Sequence, residues 1–224
     1  MTAIGRPATV MLSRLELRVR CLNSASYGHW QNRLPATYID HLYYNAETMP
    51  SALTIPLTHR SAYLRPIEEA DIQRWLSYLQ TDAVRPGISW RPQGIEELGN
   101  FVNSTDLHRP GAQVRFAIAG ISDNTLLGSV GFHSISIPHH SAEIAYDLHP
   151  DQWGKGLATE ACREIIQWAF GHGLTRIQAT VLTNNQASVR VLERLGFELE
   201  GRLRKYRWVD HTAHDALMYS FLRA

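Results

Sequence analysis

The chain has 224 residues, of which 44% are hydrophobic and 19% charged, which is enough for one globular domain with an additional segment. Its 22 Lys and Arg nearly balance 21 Asp and Glu, and the net charge of +1 argues against sequence-independent binding of nucleic acid. Two cysteines exclude a disulfide framework and a cysteine-based zinc site, and no apolar run reaches the length of a membrane span, so we expect a cytoplasmic protein with no metal and no membrane or direct nucleic-acid partner.

Residues 1–57 show no sustained periodicity and are predicted to be a poorly ordered N-terminal extension. The first 50 residues carry five arginines against three acidic side chains. The segment is compatible with a weak organelle-targeting function, with a partner-binding arm, or with upstream translation ahead of a start at Met49. We favour the last interpretation, which predicts that a protein beginning at Met49 folds and works like the full chain.

Residues 58–224 alternate strand-like and helical patterns and are expected to form one domain. The predicted elements are, in chain order, a strand at 62–66, helices at 68–78 and 95–107, antiparallel strands at 114–121, 126–135 and 142–148, a helix at 157–172, a buried strand at 177–182, a helix at 185–195, and strands from 197 and over 216–222. This order predicts a mixed α/β domain with a central sheet, and it contains no repeat of the kind that builds solenoids or propellers.

A short loop with two glycines joins the predicted strand ending at Leu148 to the next helix. Gly154 and Gly156 permit a left-handed backbone, and the free N–H groups at the start of the helix attract an anion such as phosphate. The chain has no Walker A pattern, and a dinucleotide-binding loop would need a third glycine where Thr159 stands. The loop by itself is better explained as a tight turn that caps the helix.

Two further motifs follow this loop in a fixed order. They are Asn-Gln-Ala-Ser at 185–188 and Gly-Phe at 196–197, and the loop itself reads Trp-Gly-Lys-Gly-Leu-Ala-Thr-Glu-Ala at 153–161. Over residues 58–223 this arrangement resembles the GNAT superfamily of acyl-CoA-dependent N-acyltransferases, most closely its RimJ/RimL-like branch of ribosomal-protein N-terminal acetyltransferases. Trp153 stands where the wider superfamily usually has Gln or Arg, as is normal in that branch.

The resemblance implies an α/β (α+β mixed) GNAT-like fold with acetyl-CoA as co-substrate. Its central sheet is expected to be mostly antiparallel, to splay between its fourth and fifth strands (here 142–148 and 177–182) and to carry helices on both faces. Acetyl-CoA is expected in the cleft, with its pyrophosphate on the amides of residues 154–159. The residues expected to bind it are Leu148, Trp153, Gly154, Lys155, Gly156, Leu157, Ala158, Thr159 and Asn185.

The expected reaction is direct attack of a primary amine on the thioester. The enzyme is expected to be a monomer or a homodimer. The acceptor is expected to be a protein N-terminal α-amine, such as that of a ribosomal protein. A small amine (a polyamine, an amino acid derivative or a drug) is the alternative, and a non-catalytic CoA-binding regulator is a further one. An α-amine is roughly 14% neutral at pH 7 and a lysine only about 0.04%, so an α-amine needs less help from a base.

Two side chains are candidates for catalysis. Ser188 matches the family position that protonates the departing thiolate, although a serine near a helix start also serves as a cap. Glu143 lies on a strand that flanks the cleft and is the candidate base acting through water, or else a solvent-facing strand residue. His149, next to the loop, is a further candidate base.

The nearest relatives in the branch place a glutamate 19 residues after the serine, where this chain has Arg207. Together with Arg204 and Lys205, it makes the acceptor side basic, which favours an acidic or carboxylate-bearing acceptor unless the three only form a solvated strand face.

Other residues that could form sites are interpreted as structural. His139 and His140 are expected in a solvated loop, and Cys162 is expected to be a buried, inert thiol. Trp75 and Trp90 could line an acceptor groove or pack in the core.

Overall fold

One sheet of eight strands organises the residues that the computed structural model describes, which are 53–58, 61–108 and 111–223. The strand order is β1-β2-β3-β4-β5-β6-β8-β7. The strands are β1 (Ile55–Pro56), β2 (Ala62–Pro66), β3 (Val114–Gly120), β4 (Leu126–Ser136), β5 (Ser141–Leu148), β6 (Arg176–Leu182), β7 (Glu198–Val209) and β8 (Thr212–Leu222). Only β5 and β6 pair in parallel within this sheet, so the predicted mostly antiparallel sheet is confirmed. The predicted N-terminal extension lies outside the described residues, apart from 53–57.

Four helices accompany the described sheet: α1 (Glu69–Leu79), α2 (Ile95–Gly99), α3 (Leu157–Gly171) and α4 (Gln186–Leu195). α1 begins with a capping box, in which the side chains of Glu68 and Asp71 each bind the other residue's main-chain N–H. Gly196 caps the C-terminal end of α4, and its φ of 86° is the left-handed conformation that glycine adopts without strain. None of the described helices is long and apolar enough to span a membrane.

The second helix is shorter than the sequence pattern indicates. A helix was predicted over 95–107, but α2 ends at Gly99, so the prediction was wrong for residues 100–107. Val102 forms an isolated bridge with Ile67, and Asn103, with a φ of 54°, donates its N–H to the Ile67 carbonyl at 3.0 Å. Pairing with Ile67, the residue that follows β2, thus replaces the helical hydrogen bonds of this segment.

Hydrophobic cores lie on the two faces of the sheet, because successive strand residues point to opposite sides. Phe116 and Ile118 pack in the core that includes Ile165 of α3, whereas Ala117, between them, packs in the core that includes Trp75 of α1. The prediction of helices on both faces is therefore confirmed.

The parallel strands β5 and β6 diverge after a short paired stretch. Their register runs only from Ser141–Arg176 to Glu143–Gln178. Beyond it, main-chain groups on the facing edges of β5 and β6 have no partner on the opposite strand. The predicted splay between 142–148 and 177–182 is confirmed; these are the fifth and sixth strands because the two-residue β1 was not predicted.

Candidate active site

A cavity of about 780 Å³ opens where β5 and β6 diverge. Ile144–Asp147 of β5 and Ala179–Leu182 of β6 line it, together with Ser188 at the start of α4. Trp90 and Phe101, from the segment between α1 and β3, form another wall. The cavity therefore combines open strand edges with polar and aromatic side chains.

The glycine loop precedes α3, beside the end of β5. Gly154 and Gly156 have φ values of 75° and 81°, and a Cβ on either would meet nothing within 4 Å. The loop therefore needs glycine for its backbone conformation, while the space in front of it is open. The Trp153 indole N–H donates to the Leu148 carbonyl at 3.0 Å and ties the loop to β5. An exposed loop at the start of a 15-residue helix fits the pyrophosphate of an acyl-CoA.

Ser188 lies in the first turn of α4 but does not cap it. The cap is Asn185, whose side-chain oxygen accepts the Ser188 N–H at 3.0 Å. Tyr146 of β5 donates its hydroxyl to the Ser188 carbonyl at 3.2 Å, and burial raises the pKa of that phenol above its ordinary value. Among the described residues, none shares a hydrogen bond with the Ser188 hydroxyl. The capping interpretation of Ser188 is therefore wrong.

Asn185, predicted to contact the co-substrate, lines the cavity and also has partners within the protein. Its side-chain oxygen caps α4, and its side-chain nitrogen donates to the Gly87 carbonyl at 2.6 Å. Asn185 thereby joins α4 to the segment that carries Trp90.

Glu143 is buried, with 4% of its surface exposed, so it is not a solvent-facing strand residue. One carboxylate oxygen accepts from the Thr180 hydroxyl and, at 3.1 Å, from the Arg207 guanidinium. Arg207 also donates to the Thr180 hydroxyl at 2.6 Å. Arg207, whose side chain is 32% exposed, therefore forms a cluster with the buried Glu143 in the cavity wall, whereas Arg204 and Lys205 are exposed.

His133 of β4 is a cavity residue that the sequence analysis did not identify. It pairs in register with Glu143, and its Nε2 lies 3.9 Å from a Glu143 carboxylate oxygen. Its Nδ1 is 3.0 Å from the Ser134 hydroxyl. Desolvation lowers the pKa of His133, helped by the charges of Arg115 and Arg207 and opposed by that of Glu143. The alternation of strand residues contained the signal, since His133 and Glu143 fall on the same face of adjacent strands.

A second buried cluster centres on Asp147, also on β5. Its carboxylate accepts hydrogen bonds from four side chains. They are Trp75 and Tyr78 of α1, Arg115 of β3 and Ser129 of β4. Arg115 further donates to the Ala145 carbonyl at 2.7 Å. This cluster ties α1 to three strands beside the cavity.

The aromatic candidates divide between core and cavity. Trp75 is fully buried and packs in the core, whereas Trp90 lines the cavity. The rings of Trp75 and Trp90 meet edge to face at 6.2 Å.

The remaining candidates lie outside the residues that line the cavity. His149 caps a short 3-10 turn at Pro150–Gln152. His139 is exposed in the turn between β4 and β5. Cys162 is fully buried in α3, and desolvation raises the pKa of its thiol, so the prediction of a buried thiol is confirmed.

A splayed sheet with a glycine loop at the start of the following helix is the arrangement expected of an acyltransferase that takes its acyl group from a CoA thioester. The family model described as "Acetyltransferase (GNAT) domain" matches residues 62–198. The chain belongs to the GNAT acetyltransferase family, as its motifs indicated. It is an N-acetyltransferase, and acetyl-CoA is its acyl donor.

Sequence relatives agree with this assignment. The uncharacterised N-acetyltransferase YoaA of Bacillus subtilis is 30% identical over 168 residues, which cover 71% of this chain and 92% of YoaA. Spermidine N(1)-acetyltransferase of Escherichia coli is 28% identical, covering 73% of this chain and 86% of that enzyme. The ribosomal protein uS5-alanine N-acetyltransferase of Escherichia coli is 27% identical, covering 58% of this chain and 70% of that enzyme.

Proposed function

We propose that this N-acetyltransferase acts on the N-terminal α-amine of a protein, such as a ribosomal protein. The names of two relatives point to different acceptors, a polyamine and a ribosomal protein N-terminus. The charge of the cavity favours the second. A polycation needs carboxylates that are free to pair with it, whereas a single α-amine does not.

The observation that carries the proposal is that the carboxylates lining the described part of the cavity already have partners. Glu143 is paired with Arg207, and Asp147 with Arg115. Glu97 accepts the Trp90 indole N–H at 3.0 Å and a main-chain N–H. Among the described residues that line the cavity, Glu97 is the one carboxylate outside an ion pair, so they form no cluster of uncompensated acids that would attract a polyamine. The half-buried aromatic wall suits an N-terminal side chain.

The residues around the cavity have separate roles in binding acetyl-CoA and in proton transfer. Residues 153–159 hold the pyrophosphate of acetyl-CoA on main-chain N–H groups, and the open edge of β5 holds the rest of the co-substrate. Ser188 delivers a proton to the departing thiolate, since it lines the cavity while Asn185 performs the capping. Asn185 fixes α4 against the Gly87 segment and, because it lines the cavity, also contacts acetyl-CoA.

The site for acetyl-CoA is tested by calorimetric titration of the Gly156→Glu variant, which places bulk and negative charge at the loop. Gly173→Glu is the matched control, because Gly173 has a similar φ of 93° and equally open space but lies beyond the other end of α3. We expect Gly156→Glu to abolish binding and Gly173→Glu to retain it. Equal binding by both folded variants would reject the loop as the pyrophosphate site.

The acceptor is tested by measuring release of CoA thiol with peptides and small amines. A peptide with a free N-terminus, the same peptide with a blocked N-terminus and an internal lysine, and spermidine form the comparison set. We expect turnover only with free N-termini, at a rate that changes with the first two residues. Turnover of spermidine alone would replace the proposal by a polyamine acetyltransferase. Tight acetyl-CoA binding without thiol release from any acceptor would indicate a regulator.

A further inference from the structure

We propose that His133 is the proton acceptor for the acceptor amine, with Glu143 and Arg207 setting its charge. This inference rests on the proposed function, because it concerns the amine side of the same cavity. The glutamate that the family resemblance expects at position 207 is absent, so the candidates for the base are the other titratable groups that line the cavity.

The geometry distinguishes His133 from Glu143 as the base. The Glu143 oxygen nearest to the cluster already accepts two hydrogen bonds, from Thr180 and Arg207. His133 has Nδ1 beside the Ser134 hydroxyl, and its Nε2 is 3.9 Å from Glu143, beyond hydrogen-bonding distance. The imidazole therefore keeps a nitrogen available in the cavity, and Glu143 lies where it stabilises the positive charge after protonation.

Local backbone geometry supports a specific orientation of this ring. The pairing of β4 with β5 is interrupted between His133 and Ser136, and Ser134 adopts a left-handed φ of 50°. Such bulges redirect side chains near active sites, and a non-glycine residue in this conformation needs support from its surroundings. The side chain of His133 is 34% exposed, which gives a bound proton a route to solvent.

The charged groups facing His133 come from three strands. Burial is the main cause that lowers the pKa of His133; Glu143 on β5 raises it, and Arg115 on β3 and Arg207 on β7 lower it further. The net effect is a lowered pKa, so the imidazole is neutral near pH 7 and able to accept a proton. Arg207, which replaces the expected acid, thereby keeps the base in its working form.

The reaction balances with His133 in this role. The acceptor ammonium gives one proton to Nε2, and the neutral nitrogen attacks the thioester carbonyl carbon to form the C–N bond. The C–S bond then breaks. The nitrogen of the new amide still carries one proton more than the product does. That proton passes by way of Ser188 to the thiolate, which leaves as the thiol. His133 returns its proton to solvent, so one proton is released per acetyl group transferred.

The test combines kinetics with NMR titration of the histidine rings. His133→Gln is compared with His139→Gln, the same change at an exposed histidine in the following turn. We expect His133→Gln to lower kcat about 100-fold and to remove the acidic limb of the pH profile of kcat, with unchanged acetyl-CoA affinity. His139→Gln should leave both the rate and the limb as in the wild type.

Two further variants give opposite shifts that a merely structural role would not produce. Glu143→Gln should lower the pKa of His133 measured by NMR and move the acidic limb to lower pH. Arg207→Gln should raise that pKa and move the limb to higher pH. A limb that persists in His133→Gln but disappears in Glu143→Gln would overturn the proposal and assign the proton to Glu143.

Failure of the proposed function has a different signature. A wild-type enzyme that acetylates only small amines contradicts the protein acceptor, while the His133 comparison still applies to that reaction. A wild-type enzyme that acetylates nothing overturns both proposals. Normal wild-type turnover together with normal turnover by His133→Gln overturns only the role of His133.

Discussion

Replacing Asp147 by Asn should cost far more stability than an isosteric change usually does. Asp147 is 8% exposed and accepts hydrogen bonds from four donors, one of which is the guanidinium of Arg115, itself 6% exposed. An asparagine has one acceptor oxygen and presents an NH₂ group in place of the other. One orientation leaves the Trp75 N–H without an acceptor, and both leave a buried guanidinium without its counter-charge.

The magnitude follows from the buried ion pair. Removing one partner of such a pair costs about 3–5 kcal/mol, because the other charge stays buried and uncompensated. For a domain of this size, 1 kcal/mol shifts Tm by about 2–4 °C, so we expect Tm to fall by about 6–20 °C. Thermal unfolding followed by circular dichroism, with urea unfolding for the free energy, measures the loss.

A double-mutant cycle separates the pair from its surroundings. Arg115→Met keeps an apolar stem near the Trp75 and Phe101 rings, which lie 5.6 and 5.9 Å from the guanidinium carbon. Combined with Asp147→Asn, it removes both charges and should recover about 2 kcal/mol relative to additivity. Glu200→Gln, in the more exposed pair with Arg176, is the control and should cost under about 1 kcal/mol. Additive losses, or a loss below 1 kcal/mol for Asp147→Asn, would refute the reasoning.

Three further predictions concern single side chains. Ser188→Ala should reduce kcat about 100-fold while the Kd for acetyl-CoA, measured by calorimetry, stays within about twofold; an unchanged kcat would remove Ser188 from catalysis. In a Cys21→Ser background, Cys162 should react with a thiol reagent only after unfolding, because burial raises the pKa of its thiol; rapid reaction of the folded protein would contradict this. Arg176 and Ser220 hold the pKa of Glu200 at about 2, below the ordinary 4.5, so the stability that this carboxylate contributes above about pH 4.5 should be lost as the pH falls toward 2. NMR titration of Glu200 checks the value, and Arg176→Gln should raise it.

The fold was predictable from the sequence because glycine residues mark the ends of its helices clearly. The glycine loop at 154–156 and Gly196 fix the boundaries of α3 and α4, and alternating apolar residues identify β3, β4 and β5. The failure at residues 100–107 has a physical cause, since helical spacing of apolar residues does not reveal that Val102 pairs with Ile67, just after β2. That contact is made between residues 35 positions apart, and local patterns carry no information about it.

The candidate site was predictable only where its chemistry is contiguous in sequence. The loop and the Asn185–Ser188 motif could be found because a single turn holds all their functional groups. The cluster of His133, Glu143 and Arg207 comes from three strands, and only the pairing register places its members together. Sequence reasoning identified Glu143 and Arg207 separately, one as a base and the other as a missing acid, without recognising that they are partners.

Arg207 and Glu143 therefore have to be interpreted as a pair. The family resemblance expects a carboxylate on β7, and this chain instead carries the carboxylate on β5 with a cation opposite it, 3.1 Å away. The opposite charges of Glu143 and Arg207 cancel in the cavity wall. An unpaired glutamate at position 207 would instead add a negative charge there. Because its charge is compensated, the carboxylate attracts a cationic acceptor less strongly, and the neutral imidazole of His133 becomes the group suited to proton transfer. Arg207, in place of the expected acid, thus predicts that the enzyme remains catalytic, that a different residue acts as the base, and that the preferred acceptor carries less positive charge.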